Sequence, residues 1–225
     1  MPVKMSKKQS LIYIMKYLII SIFAFGIGVM FIIQLMGFDE ITKALIGSQL
    51  SIAFFGLALF NFNIEEIKKI FNKKFQLKHI FHILLITFSV LLFNAIMSII
   101  TEPFIKKEVP GITEDMIRST SVLGRYIIPV ILAPLIEELA FRAGLKRILV
   151  DNSKWTPIQF VLLSSILFGI LHWQPVANSL LYVLIITGAG FLWGYAYIKT
   201  NNIYVSIFSH ILYNQIILFG ASLLL

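Results

Sequence analysis

Hydrophobic residues in this chain come in long unbroken runs, separated by short polar or basic stretches. A membrane-spanning helix needs about 20 mostly apolar residues. Runs of that kind fall at residues 10–36, 44–62, 80–101, 122–149, 157–174, 176–198 and 203–224, with only "WQPVAN" dividing the fifth from the sixth. Because they are continuous rather than alternating at every second position, they predict helices and not barrel strands. The expected fold is an all-α polytopic membrane helix bundle of seven transmembrane helices, give or take one. Residues 63–79, "NIEEIKKIFNKKFQLKH", set Ile64, Ile67, Ile70, Phe71 and Phe75 at helical spacing opposite a Lys-rich face. That pattern predicts a surface helix on anionic lipid, with docking of a partner protein as the alternative. Residues 102–120 form the longest loop, a lid or a linker.

Composition agrees with the pattern. Of 225 residues, 58% are hydrophobic and 13% charged, against about 25% charged in a soluble domain. A soluble fold of this length could not hide that much apolar surface in one core. With no cysteine, disulfides, thiolate nucleophiles and Cys-based zinc sites are excluded. The net charge of +8 lies in clusters between apolar runs, which fits membrane orientation rather than a nucleic-acid partner. Lys4, Lys7 and Lys8 precede the first span, and Lys68, Lys69, Lys73, Lys74 and Lys78 follow the second. Lys146, Arg147 and Lys154 follow the fourth, and Lys199 the sixth, while the intervening loops are poorer in Lys and Arg. Alternate loops agree on a multi-pass protein of the cell membrane with a cytoplasmic N-terminus. "MPVKMSKK" is like the basic start of a signal peptide, but the run after it exceeds the usual apolar core of about 7–15 residues, so a retained first span is expected.

Against this background the stretch "PLIEELAFRAGL", residues 134–145, stands out. An ionisable residue in hydrocarbon costs roughly 2.5–3.5 kcal/mol on insertion scales and is kept where it is paired or functional. Glu138 and Arg142, four apart, share a helix face and can pair. Glu137 is turned by about 100° from Glu138, so one arginine cannot serve both carboxylates equally. Pro129 and Pro134 lie just upstream, where they can kink the helix and open room for water. A structural ion pair stapling spans together explains the same residues. In "FGILHW", Phe168 and His172 are four apart; beside Trp173, His172 also reads as an interfacial residue. In "SHILYN", His210 and Asn214 share a face of the last span, as an interhelical hydrogen bond would require. His79 and His82 read as structural. Taken together, a carboxylate, two imidazoles and an amide carried by three spans are the parts of a water-activating site.

These residues resemble a known family. "EELAFR" matches Glu-Glu-x-x-x-Arg, "FGILH" matches Phe-x-x-x-His, and "HILYN" matches His-x-x-x-Asn, in the order and approximate spacing of the CAAX protease and bacteriocin-processing (CPBP, or Abi) family. Its eukaryotic members resemble the type II CAAX prenyl endopeptidase. The resemblance covers roughly residues 120–220 and implies an intramembrane endopeptidase. Within one integral membrane domain, it divides N-terminal helices and a basic loop in 1–120 from a four-helix catalytic-type core in 121–225. Carried over, Glu137 would be the general base, His172 would hold the water, and His210 and Asn214 would face the oxyanion. Glu138 and Arg142 would orient the site, and Phe168 would shape it. Family members have been described as metalloproteases, and Glu137, His172 and His210 could offer three ligands to zinc. No His-Glu-x-x-His pair is present, so water activated without metal is equally consistent. The implied substrate is a membrane-associated peptide or protein tail. The competing reading is a catalytically silent scaffold, in bacteriocin immunity or in control of a partner membrane protein, built on the same buried polar network. A transporter is remote without broken helices or an inverted repeat.

Overall fold

In a computed structural model, the described residues are 4–23, 33–101, 121–173 and 179–223. The long loop 102–120, the centre of the first apolar run and most of "WQPVAN" fall outside them. The helices are α1 (Lys7–Ile20), α2 (Glu40–Leu59), α3 (Ile64–Phe71), α4 (Leu77–Thr101), α5 (Ala133–Glu138), α6 (Pro157–Leu171), α7 (Ser179–Thr200) and α8 (Ile203–Leu223). Among the described residues no strand forms; Met5 and Ser153 make one isolated parallel bridge. Four of these helices have the length and apolar composition to cross a membrane: Glu40–Leu59, Leu77–Thr101, Leu180–Thr200 and Ile203–Gly220. Pro157–Leu171 is a shorter apolar helix. The chain is a multi-pass helical membrane protein, its surface inverted relative to a soluble fold. On α4, Phe81, Leu84, Phe88, Leu92, Ile96 and Ile99 are exposed at helical spacing, whereas Glu137, Glu138, Arg142, His210 and several serines are buried.

Helix starts follow from local hydrogen bonding. Ser6 accepts from the Gln9 amide while Gln9 accepts from the Ser6 amide, closing a capping box on α1. Asp39 caps α2 by accepting from the Thr42 amide, so α2 begins before the apolar run itself. Asn63 caps α3. The helix expected over 63–79 is shorter than its periodicity suggests, ending at Phe71 with Asn72 as its cap. Phe75 instead packs edge-on against His79, Tyr204 and Phe208 while staying partly exposed.

Between residues 123 and 151 the helix alternates in winding. Leu123–Leu132, Leu139–Gly144 and Arg147–Asp151 are π-helical, flanking α5. The Ala133 amide donates to the Ile128 carbonyl, five residues back, and the Leu145 amide likewise to Ala140. Pro129 lies inside the first π segment and Pro134 in the first turn of α5. The expected disturbance near these prolines takes the form of a wider turn, which accommodates a residue lacking an amide donor.

Packing divides the chain into two compact units, Met1–Lys73 with Glu114–Phe160, and Lys74–Thr113 with Val161–Leu225. In the first, α2 lies beside the 123–151 helix, and the two run in the same direction. Thr42 meets Ser121, Gln49 meets Glu137, Gly56 faces Ala140 and Gly144 faces Leu59. A Cβ at Gly144 would approach Leu59 Cδ1 to 2.9 Å, so glycine sets the closeness of the pair. At one end of this unit Met5 bonds Asn152, Lys7 bonds Gln159, and Arg147 bonds both Glu66 and the Leu59 carbonyl. In the second unit, α7 returns antiparallel to α6, with Gly194 against Val161 and Gly169 against Val183 and Thr187. The α7–α8 turn passes through Asn201 in the left-handed region, φ 47°, a conformation asparagine tolerates. Helix α8 runs alongside α4: Thr87 donates to the Ser209 carbonyl and Asn94 to the Tyr213 hydroxyl.

Candidate functional site

The first unit holds the Glu-Glu-x-x-x-Arg residues. As the four-residue spacing predicts, Glu138 and Arg142 form an ion pair, Oε2 to Nε at 3.0 Å, with both side chains wholly buried. Phe141, between them in sequence, packs against Phe55 of α2 with ring centroids 6.2 Å apart. Glu137 points to a different partner. The Gln49 Nε2 of α2 donates to its Oε1 at 3.1 Å, and Glu137 is 4% exposed. Two carboxylates adjacent in sequence are therefore held differently, one by a guanidinium and the other by a neutral amide. A carboxylate can only accept, so the amide nitrogen of Gln49 has to face Glu137.

The second unit gathers Phe168, His172 and His210. The Phe168 ring is the hub, 4.5 Å from the His172 ring and 6.0 Å from the His210 ring, centroid to centroid. Helix α6 ends at Leu171, so it does not extend past Trp173; His172 sits in the closing turn, its amide bonded to the Gly169 carbonyl. His210 lies well inside α8. His172 Nδ1 lies 2.7 Å from the Phe168 carbonyl. A carbonyl only accepts, so Nδ1 carries the proton in this bond and the neutral ring keeps its lone pair on Nε2. Asn214 lies one turn beyond His210 on α8 and is half-buried. His79 and His82 make local bonds at the start of α4, to the Gln76 amide and the Lys78 carbonyl.

Three residues belong to these clusters without being marked by the motifs. Gln49 is one. Trp193 is the second: its indole stacks on the His210 ring, centroids 3.8 Å apart, and packs edge-on to Phe168. Tyr213 is the third, packed against Trp193 and bonded to Asn94. Gln49 and Asn94 carried a usable signal, since each is an amide inside an apolar run. Trp193 carried none, because aromatic residues are frequent in spans.

Among the described residues, no group of three His, Asp or Glu side chains assembles as a metal-ligand set. Glu138, moreover, is committed to Arg142. No step below passes through a metal.

Comparison with known proteins bears on the same segment. Over 103 residues the chain is 29% identical to "Putative membrane peptidase YdiL" of Bacillus subtilis (strain 168), an alignment covering 46% of this chain and 38% of that protein. No solved structure matches. Residues 119–216, which contain Glu137, Glu138, Arg142, Phe168, His172, His210 and Asn214, match the family model described as type II CAAX prenyl endopeptidase Rce1-like.

Proposed function

We propose that this protein is an intramembrane endopeptidase that hydrolyses peptide bonds of membrane-associated peptides or protein tails, with Glu137 activating water. The observation that carries this reading is the unequal treatment of the two buried carboxylates. Arg142 neutralises Glu138, while Glu137 receives a neutral amide donor and remains a proton acceptor. The family match over residues 119–216 supports the same assignment.

In this reading Glu137 takes a proton from water as its oxygen attacks the scissile carbonyl carbon. By the family resemblance, His172 Nε2 accepts a hydrogen bond from the O–H that the water keeps and so orients its lone pair. By the same resemblance, His210 and Asn214 are the donors to the oxyanion that the carbonyl oxygen becomes; one such donor contributes about 2.7–4 kcal/mol. On collapse the C–N bond breaks and Glu137 passes its proton to the leaving amine, giving a free carboxyl group and an amine. Phe168 and Trp193 hold His210 in place, and the Glu138–Arg142 pair holds the helix that bears Glu137. The basic segment 63–79 contacts anionic lipid, with Ile64 and Phe62 exposed beside it.

The test is cleavage of a quenched-fluorescent peptide library by purified protein in detergent. Glu137→Gln keeps shape and removes the base, and a loss of about 10²–10⁴-fold is expected. A chelator leaves the rate within twofold. If Glu137→Gln cleaves as wild type does while Arg142→Ala abolishes folding, the network is a scaffold and the enzyme reading fails.

A further inference from the structure

Gln49 lies on α2, outside the segment that matches the family model. Its Nε2 donates to Glu137 Oε1 at 3.1 Å, and the residue is 9% exposed. Its own carbonyl oxygen, Oε1, is buried and accepts no hydrogen bond from any described residue. Burying an amide with half its capacity unmet costs free energy, and an apolar side chain of the same length would avoid that cost. Around it, α2 presents Phe55, Gly56, Ala58 and Leu59, all buried. What distinguishes position 49 from these neighbours is the carboxylate opposite.

We propose that Gln49 is a positioning residue for Glu137, fixing which carboxylate oxygen is turned to the reacting water. This rests on the peptidase reading above. A glutamate carboxylate rotates in a broad, roughly two-fold well about its last torsion. A donor on a different helix, held at close range by the Gly56–Ala140 and Gly144–Leu59 contacts, pins Oε1 and leaves Oε2 as the proton acceptor. Such a contact acts on orientation and not on substrate affinity, so it belongs to kcat. The N-terminal part of the chain thus supplies a group to the chemistry as well as apolar bulk.

The experiment compares wild type, Gln49→Met and Glu137→Gln, each full length in detergent, by peptide cleavage and by infrared difference spectroscopy of the carboxylate bands. Expected for Gln49→Met is a fall in kcat of about tenfold, equivalent to about 1.4 kcal/mol, with KM within twofold. The carboxylate band identified as Glu137 by its loss in Glu137→Gln shifts in Gln49→Met. Should Gln49→Met not fold, Gln49→Leu, which also lacks the donor and brings no second carboxylate to Glu137, takes its place with the same expected outcome for kcat and KM. An unchanged kcat, an unshifted band, or a loss confined to KM or to the melting temperature overturns the assignment. If Glu137→Gln is inactive and Gln49→Met fully active, only the Gln49 assignment is lost. If Glu137→Gln cleaves normally, or wild type cleaves nothing in the library, the peptidase reading is lost as well.

Discussion

At the scale of single residues, what separates Glu137 from Glu138 is the side chain each one meets. Glu138 is bound by a fully buried guanidinium, and removing one partner of such a pair strands an uncompensated charge. Arg142→Ala is therefore expected to lose about 3–5 kcal/mol of stability, read as a fall in the detergent melting temperature or as failure to recover folded protein. Phe168→Ala removes the ring that both histidines touch, and about 3–5 kcal/mol is expected there too, read in the same way. The pairing of Glu138 with Arg142 was legible in the sequence because four residues apart is one turn of a helix. The partner of Glu137 was not, because Gln49 is 88 positions away and no local periodicity links them.

At the scale of elements, close approach decides what each helix tolerates. A Cβ at Gly169 would collide with Thr187 Oγ1 and lie 2.7 Å from the Val183 carbonyl oxygen. The carbonyl belongs to the backbone of α7 and cannot rotate away. Gly169→Ala is expected to cost about 1–3 kcal/mol, measured by thermal unfolding. The start of α2 gives a pH-dependent test. Hydrogen bonds from the Thr42 hydroxyl, then its amide, with a further one from the Ser121 amide, hold the Asp39 carboxyl down from 3.8 to about 2. A depressed carboxylate stabilises the fold at pH above its unfolded value, and that contribution disappears as pH falls through the folded value. Wild type should lose stability relative to Asp39→Asn between about pH 4 and pH 2, and the two melting curves should run parallel above pH 5. A constant gap across the whole range would refute the cap. Periodicity foresaw the extents of α2, α4, α7 and α8 well, because burial in lipid needs only length and apolarity. It overextended α3, since Phe75 finds aromatic partners beyond that helix, and it could not foresee π-winding, which depends on how the backbone accommodates Pro129 and its neighbours.

At the scale of the whole molecule, the distribution of Lys and Arg becomes a statement about sides. In the first unit, residues 4–7, 59–66 and 147–159 meet at one end, while Asp39, Thr42, Ser121 and Gly124 meet at the other. The first end carries the basic loops, and the positive-inside rule predicts that it faces the cytoplasm. Since the chain has no cysteine, single replacements give unambiguous labels. Gly37→Cys, at a position with open space around it, should react with a membrane-impermeant maleimide in intact cells, and Lys154→Cys only after permeabilisation. The reverse pattern would invert the topology.

The sequence by itself determined that this is a helical membrane protein, roughly where its helices lie, and which few polar residues the bilayer interior must accommodate. It could do so because hydropathy, helical period and the cost of buried charge are local or additive properties of the chain. Which carboxylate took the arginine was foreseeable on the same grounds. Tertiary structure alone decided that a glutamine of α2 reaches Glu137 and that a tryptophan of α7 stacks on His210. It also decided that the Phe168 ring lies against two histidines of different helices. Contacts of this kind join positions that no local periodicity links, and they form only when separate helices pack closely enough for their side chains to meet.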